Sequence, residues 1–344
     1  MEHLFTRSPI LRKMTYKTIG DYRTRLINDA SVFNIATGYI SSEALVELKR
    51  IISIREKQIS INLFVGMNYI EGFTKLQYNT LKDLSSFMEA EGVGQVLVSP
   101  AALYHGKMYS FNDINGDCLG AFVGSSNLSS FLGTSQNYIE SDIYFNGDQA
   151  KVVDNNIKAV IANLGVNLYY LPPITDFLRA DTDLLKGVDH VQKLSGKEKD
   201  ELINLTGDKV VIPLKTEPKS NLNTYFGAGK IKGKYSPRSW YEVELIISTT
   251  ITNRDLLPNK DQGPFTVVTE DGYKFECERQ GDYSKNFRSA KDLRILGKWI
   301  KGRMENDGVI QCGELVTDKT LENFGKNKIV LSRSVNDIWY MELK

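Results

Sequence analysis

One histidine of this chain lies two residues before a lysine, in a segment whose apolar residues predict a β-strand. The sequence contains three histidines, and only His105 is followed by lysine in this way, as His105-Gly-Lys107. Residues 103–111 are expected to form the strand, and side chains two residues apart on a strand point to the same face. We therefore expect His105 and Lys107 to lie side by side. An imidazole beside an ammonium could attack a phosphodiester while the positive charge binds a phosphate oxygen.

Further polar residues follow at the ends of the next two predicted strands. Residues 118–123 form an apolar strand that leads into Gly-Ser-Ser-Asn, which contains Ser125 and Asn127. Their hydroxyl and amide groups could bind the non-bridging oxygens of a phosphate together with Lys107. Glu140 begins the strand after that, and a carboxylate can hold an imidazole in one tautomer.

The order His-x-Lys, Gly-Ser-x-Asn and a following Glu resembles the phospholipase D superfamily. The resemblance implies that His105 attacks phosphorus to give a phosphohistidine, that a second histidine protonates the leaving oxygen, and that water releases the product. It also implies that Glu140 orients His105, and that neither a metal nor another cofactor is needed. Many members have Asp five residues after the lysine, where this chain has Asn112 and then Asp113. We assign neither residue a role.

The superfamily resemblance implies two half-sites, and this chain supplies one. His3 and His190 are not followed by lysine at the second position. The second half-site is therefore expected from another copy of the chain. We predict a homodimer through the domain that carries His105, with the catalytic centre on the two-fold axis.

Composition indicates a two-domain protein of a reducing compartment. The 344 residues are enough for about two domains of ordinary size. Three cysteines without regular spacing argue against a disulfide framework, and neither Cys-x-x-Cys nor His-x-x-x-His suggests a metal site. The N-terminus lacks the apolar core of a signal peptide, and no apolar run is long enough to span a membrane. We therefore expect a cytoplasmic protein without a membrane partner.

The chain divides into two parts joined by a linker. Residues 1–172 alternate strands and helices, which predicts an α/β/α domain with a mixed central sheet. Residues 173–205 form a linker with a helical segment that Ser195 caps. Residues 206–344 contain short β-like runs separated by turns, with one helix near residues 290–300, and predict a small β-barrel or sandwich. The elements that carry this interpretation are strands at 32–37, 59–65, 95–99, 210–214, 241–248, 265–269, 273–278, 329–331 and 338–343, and helices at 41–56, 74–90 and 149–164.

Basic residues cluster locally in the second part, although the net charge of the whole chain is only +1. No acidic residue lies between Lys219 and Tyr241, and residues 279–303 contain eight basic residues against two acidic ones. The Gly-Ala-Gly-Lys sequence that starts at Gly227 lacks the spacing of a Walker phosphate loop. A flexible basic arm that follows a phosphate backbone is the better interpretation.

A half-site domain joined to a basic β-domain looks like the BfiI and NgoFVII type of restriction endonuclease. The resemblance implies that residues 206–344 form a DNA-recognition β-pseudobarrel fused to the phospholipase D-like nuclease domain. That resemblance implies a sequence-specific, metal-independent endonuclease that acts on double-stranded DNA, with companion proteins of a restriction–modification system as further partners. It also implies two arms that grip the major groove, which we place at residues 230–238 and 279–288. The expected DNA contacts are Lys230, Lys232, Lys234, Arg238, Arg279, Lys285, Asn286 and Arg288.

Two other functions stay open. A phospholipase D-type phosphodiesterase with a different substrate would share the site, but the basic β-domain would then have no role. A DNA-binding protein that has lost catalysis would have an incomplete set of site residues. In this chain His105, Lys107, Asn127 and Glu140 are all present.

Overall fold

The computed structural model of the chain describes residues 1–6, 17–134, 138–179, 184–227, 230–231, 234–235, 238–335 and 337–344. Of residues 228–237, only the backbone of 230–231 and 234–235 is described. The chain forms two compact units. The first contains Met1–Ala180 together with Gly229–Pro237, and the second contains Asp181–Ala228 and Arg238–Lys344.

The first unit is built around one mixed sheet. Its described elements, in chain order, are β1 (Glu2–Phe5), α1 (Ile19–Asp29), β2 (Val32–Thr37), α2 (Ser42–Ile54), β3 (Ser60–Val65), α3 (Asn68–Glu71), α4 (Lys75–Glu91), β4 (Gly94–Val98), β5 (Met108–Asn112), β6 (Cys118–Gly124), α5 (Leu128–Leu132), β7 (Ser141–Phe145), α6 (Gly147–Leu164) and β8 (Val166–Asn167). The strand order is β1-β7-β6-β5-β2-β3-β4-β8. Strands β2, β3 and β4 are parallel, and the remaining pairs are antiparallel.

Helices cover both faces of this sheet, as the sequence predicts. The larger core contains stacked aromatic rings, among them Phe33 against Phe111 at 4.3 Å and Tyr109 against Phe131 at 3.7 Å. A smaller cluster on the other face packs α6 against Phe64 and its neighbours. Apolar strand residues that point to both faces explain why this sheet is buried on both sides.

The predicted strand at residues 103–111 is wrong at its start, because β5 begins only at Met108. The preceding residues cross the end of β3, where the amide of Tyr104 donates to the carbonyl oxygen of Gly66 at 3.1 Å. The Tyr104 ring packs on Phe64 with centroids 5.4 Å apart. Tyr104 therefore packs over a strand end, and the residues before Met108 do not form a ladder.

The second unit contains a curled sheet, one helix of 13 residues and two described α-helices of 7 residues each. Its described elements are β9 (Gln192–Lys193), α7 (Gly196–Leu202), β10 (Leu205–Pro213), β13 (Leu245–Ile246), β14 (Phe265–Thr269), β15 (Tyr273–Gln280), β16 (Asn286–Ser289), α8 (Arg294–Asn306), α9 (Asp318–Phe324), β17 (Lys328–Ser334) and β18 (Trp339–Leu343). The order is β10-β17-β18-β14-β15-β16-β13, and β9 pairs with β15. The intervening β11 (Lys230–Ile231) and β12 (Lys234–Tyr235) form a separate two-stranded sheet that groups with the first unit.

Local signals explain several elements of the second unit and fail for one. Ser195 caps α7 through a capping box with Glu198, as expected. The strand predicted at 241–248 shrinks to β13, because Trp240 and Tyr241 are held as core residues by hydrogen bonds to Glu305 at 2.6 and 2.7 Å. The predicted helix near 290–300 begins later, at Arg294, and continues to Asn306.

Candidate functional site

Three chain segments meet at one end of the central strands of the first sheet. Strand β5 pairs antiparallel with β2 and with β6, so that Ala36 near the end of β2 lies opposite Met108 at the start of β5. The same geometry brings the residues after β6 beside the residues before β7. His105, Asn127 and Glu140 therefore belong to loops at the same end of these strands.

His105 and Lys107 are in contact, although neither lies in a strand. The Nζ atom of Lys107 is 3.0 Å from Nε2 and 3.2 Å from Nδ1 of His105, and it donates to the His105 carbonyl oxygen at 2.7 Å. His105 is exposed, whereas Lys107 is only 7% exposed. Burial lowers the pKa of Lys107, and the negative charge of Glu140 acts in the opposite direction. The ammonium is thus held beside an imidazole that an external phosphate can reach.

Two glycines allow the turn that presents His105. A Cβ on Gly106 would lie 2.3 Å from the Tyr104 hydroxyl oxygen, and a Cβ on Gly66 would lie 2.2 Å from the Tyr104 carbonyl oxygen. Both distances are shorter than any real contact, so a larger residue at either position would push Tyr104 away. Tyr104 thus lies directly against Gly66 and Gly106 and supports the turn that presents His105.

Glu140 contacts Ser125, the serine of the Gly-Ser-x-Asn segment. The Ser125 hydroxyl donates to Oε2 of Glu140 at 2.5 Å. The amide of Ser125 donates to the Ser141 carbonyl oxygen, and the amide of Ser141 donates to Ser125 Oγ, each at 3.0 Å. The two loops are therefore tied together at the position of the carboxylate.

Asn127 is held from a segment that the sequence did not single out. Its Oδ1 accepts a hydrogen bond from the backbone amide of Tyr39 at 3.2 Å. The Tyr39 ring meets His105 edge-on with centroids 5.5 Å apart, and its hydroxyl donates to Glu71 at 2.5 Å. The available signal was an aromatic residue directly after Thr-Gly at the end of a buried strand. Tyr39 therefore touches the imidazole and fixes the amide group of Asn127.

Asp142 is a second carboxylate near the site that sequence reasoning missed. It is fully buried, and the hydroxyl of Ser126 donates to its Oδ2. A Cβ on Gly124 would lie 2.3 Å from Asp142 Oδ1. Burial raises the pKa of Asp142. Tyr109 donates to the Ser126 carbonyl oxygen at 2.6 Å, which completes a buried support behind the exposed residues.

Asn112 and Asp113 lie away from His105, at the other end of β5. The Asn112 amide donates to Oδ1 of Asp154 on α6 at 3.1 Å. Asp113 forms a turn in which its Oδ1 accepts from the amides of Asn115 and Asp117, both at 2.9 Å. Both residues therefore support the fold.

The arginines predicted to contact DNA occupy different environments in the second unit. Arg279 is 2% exposed and donates to the carbonyl oxygens of Ser284 at 2.7 Å and Leu257 at 2.9 Å. Arg288 is partly exposed and forms ion pairs with Glu244 at 2.8 Å and Glu278 at 3.0 Å. Arg279 thus holds two loops together, whereas Arg288 reaches the surface.

The remaining predicted DNA contacts are less fully described. Arg238 is partly exposed and forms an ion pair with Glu242 at 2.5 Å. Lys285 is exposed and leads into β16, where Asn286 is the first residue. Lys230 and Lys234 lie in β11 and β12, but their side chains fall outside the described residues, as does the whole of Lys232.

Neither a membrane-spanning helix nor a cluster of metal-binding side chains is present among the described residues. No helix in these ranges is both long enough and apolar enough to cross a membrane. No group of three or more His, Cys, Asp or Glu side chains among them is placed to hold a metal ion.

Comparison with protein families gives a match for each part of the chain. Residues 17–168 match the model described as the NgoFVII restriction endonuclease N-terminal PLD domain. Residues 202–334 match the model described as the NgoFVII C-terminal B3-like DNA-binding domain. No curated protein matches the chain. The two family models together span most of its length.

Solved structures show only distant similarity. Nuc from Salmonella typhimurium, a phospholipase D family member, has 11% identity and a TM-score of 0.31, over 48% of this chain and 95% of that one. The archaeal chromatin protein TrmBL2 has 8% identity and a TM-score of 0.27, over 42% of this chain. The matched region spans 48% of TrmBL2, about half of its length.

Proposed function

Since this chain belongs to the NgoFVII family of restriction endonucleases, we propose that it cleaves double-stranded DNA at a specific sequence, with the loops around His105 as its catalytic centre. The observation that carries the proposal is the contact between His105 and Lys107, 3.0 Å from Nε2 to Nζ, at an exposed end of the central strands that also carries Asn127 and Glu140. A nucleophile and a phosphate-binding cation are thus already adjacent.

The proposed reaction has two displacements at phosphorus. The imidazole of His105 attacks, an N–P bond forms, and the bond to the leaving oxygen breaks. That oxygen takes a proton from His105 of the partner subunit. Water then attacks the phosphohistidine and gives its proton to the same partner histidine, while the N–P bond breaks. The products are the two DNA ends and regenerated His105.

Charge stabilisation comes from the chain's own groups. Lys107, Asn127 and Ser125 can donate to the non-bridging oxygens, whose charge changes as the phosphoryl group passes between nucleophiles. Glu140 accepts from Ser125 in the described state and fixes that hydroxyl until a phosphate binds. The proposal therefore needs no metal ion.

A second copy of the chain is proposed to complete the centre. One His-x-Lys per chain supplies either the nucleophile or the proton donor of a given cleavage. Apolar side chains are exposed next to the site residues in the chain, with Leu103 58%, Tyr138 69% and Ile139 37% exposed. An isologous contact at the site would cover such residues. Sedimentation of the full chain should therefore give a dimer, and a monomer that cleaves DNA would contradict this arrangement.

Sequence recognition is proposed for the second unit, which matches the B3-like DNA-binding model. Arg238, Lys285, Asn286 and Arg288 offer donors at or near its surface. Lys230, Lys232 and Lys234, which fall in the segment that groups with the first unit, are also proposed to contact DNA. Arg279 is left out of the contact set, because its guanidinium is buried against carbonyl oxygens. Its proposed role is to shape the loop that carries Lys285.

The test is cleavage of a long double-stranded DNA of known sequence in the presence of EDTA, followed by mapping of the ends. We expect cleavage at defined positions by the purified chain, and no cleavage by His105→Ala. Activity of the purified chain would also mean that no companion protein is required. Cleavage that disappears in EDTA and returns with magnesium would overturn the proposed chemistry.

A further inference from the structure

The N-terminal strand β1 neighbours the segment that carries Glu140. It pairs antiparallel with β7, from Glu2 opposite Tyr144 to Phe5 opposite Ser141. The nuclease-domain family model begins only at residue 17, so this strand lies outside the matched region. It is the edge strand of the sheet on the side of the carboxylate.

Thr6, the residue after β1, forms two hydrogen bonds with the backbone of Glu140 and one with the backbone of Tyr138. Its amide donates to the Glu140 carbonyl oxygen at 3.1 Å. Its hydroxyl oxygen accepts from the Glu140 amide at 3.0 Å and donates to the Tyr138 carbonyl oxygen at 3.4 Å. One side chain thus satisfies a donor and an acceptor of the segment that leads into β7.

The opposite side of this segment is held by Ser125. Glu140 is therefore clamped between β1, through Thr6, and the loop after β6, through the hydroxyl and backbone of Ser125. With its backbone held by Thr6 and its carboxylate held by Ser125, Glu140 keeps its position relative to Lys107. Displacements of about 1 Å in such an arrangement can cost up to about 100-fold in rate.

We propose that Thr6 is a positioning residue of the hydrolytic site, which fixes Glu140 so that its carboxylate stays at Ser125 and beside the His105–Lys107 pair. This inference rests on the proposed function. It assigns to β1 a role in catalysis in addition to its role in packing, where Leu4 is fully buried.

The role of Thr6 can be separated from the stability of β1, because the strand is anchored independently at its other end. Glu2 accepts hydrogen bonds from Lys17 at 2.7 Å and from the Tyr22 hydroxyl at 2.6 Å. A substitution at Glu2 weakens the strand without touching Glu140. A substitution that removes the Thr6 hydroxyl loses the hydrogen bonds to the Glu140 amide and the Tyr138 carbonyl oxygen, and it leaves the strand anchored at Glu2.

The experiment compares full-length Thr6→Val, Thr6→Ser and Glu2→Gln, with hydrolysis of bis(p-nitrophenyl) phosphate and of double-stranded DNA as readouts. Thr6→Val keeps the shape and the backbone bond but loses both side-chain bonds, and we expect kcat to fall about tenfold with KM changed less than about twofold. Thr6→Ser should restore kcat. Glu2→Gln should lower the melting temperature but leave kcat unchanged. If Thr6→Val does not fold, Thr6→Ala tests the same loss without a new methyl group.

The possible results separate this inference from the proposed function. A Thr6→Val protein with wild-type kcat, an equal loss in Thr6→Ser, or an effect confined to KM would overturn the positioning role alone. A wild-type protein without activity on either substrate would overturn the proposed function and this inference with it.

Discussion

Asn112 donates a hydrogen bond to Asp154 at 3.1 Å, across the interface between β5 and α6. Asp154 is buried, which acts to raise its pKa, but the hydrogen bonds that it accepts prevail and hold the pKa of Asp154 below its ordinary value. The donors are Lys158, Ser110, Asn112 and Asn34. Many superfamily members have aspartate at the position of Asn112. In this chain that position needs a hydrogen-bond donor to Asp154.

The first prediction is that Asn112→Asp destabilises the protein by about 2–4 kcal/mol at pH 7, because it replaces a donor with a second buried carboxylate. Repulsion raises the pKa of the carboxylate pair in the folded state above that in the unfolded state. The penalty is therefore small below pH of about 4 and grows as pH rises through the folded pKa. Urea unfolding at pH 7 and below about pH 4 measures this loss of stability. Asp113→Asn is the control and should cost about 1 kcal/mol or less, and an Asn112→Asp protein as stable as wild type would contradict the prediction.

The second prediction concerns Lys107. Removing its ammonium in Lys107→Met should lower kcat by roughly 100- to 1,000-fold, as loss of a preorganised charge at the reacting phosphate does elsewhere. DNA affinity should change little if the second unit binds the DNA. Single-turnover cleavage and gel-shift titration measure the two effects. Lys151→Met, which removes an exposed lysine paired with Asp117, is the control and should retain wild-type kcat.

The third prediction is a shift in the pH profile. In the proposed reaction the ammonium form of Lys107 binds phosphate, so kcat should fall as this group loses its proton. The fall should occur at a pH below that of an ordinary lysine, because burial lowers the pKa of Lys107. Glu140 opposes that effect, and Glu140→Gln should therefore move the basic limb to still lower pH. Glu198→Gln, in the cap of α7, should leave the limb in place. A basic limb that moves upward in Glu140→Gln would refute this electrostatic picture.

The fourth prediction separates Arg279 from Arg288. Arg279→Met leaves buried carbonyl oxygens without donors and should lower the free energy of unfolding by about 2–4 kcal/mol. Arg288→Ala should retain the fold but weaken specific DNA binding by about 1–3 kcal/mol. Denaturant unfolding and gel shifts of the full chain, both in a His105→Ala background, measure the pair. Equal effects of the two substitutions on stability would contradict the assignment.

Strands and helices with strong local signals were predictable from the sequence. The range predicted for the strand at 32–37 agrees with β2, and the helix at 74–90 agrees closely with α4, which Thr74 caps and Gly92 ends in a left-handed conformation with φ of 63°. The conformation of residues 103–107 was not predictable, since Tyr104 packs over the end of β3, a strand distant in the sequence. The spacing of apolar residues alone cannot distinguish such packing from pairing in a β-strand.

The site was predictable where motif spacing carried it and not where tertiary contacts do. His105 and Lys107 are in contact as expected, although neither lies in the strand from which that contact was predicted. The partners Tyr39 and Thr6 come from segments 66 or more residues before His105. Thr6 has no sequence pattern of its own, and the signal for Tyr39 is its place directly after Thr-Gly at the end of β2. Arg279 shows the reverse case, because a basic cluster does not reveal which member is buried under carbonyl oxygens.

The most direct test of the proposed chemistry is to trap the covalent intermediate. The protein is mixed with end-labelled double-stranded DNA in EDTA, quenched in alkaline denaturant at successive times, and digested for mass spectrometry. A phosphohistidine, which is stable in base and labile in acid, should appear transiently on His105 and be absent from His105→Ala. Cleavage without any DNA-bound protein, or DNA attached to a residue other than His105, would contradict the account.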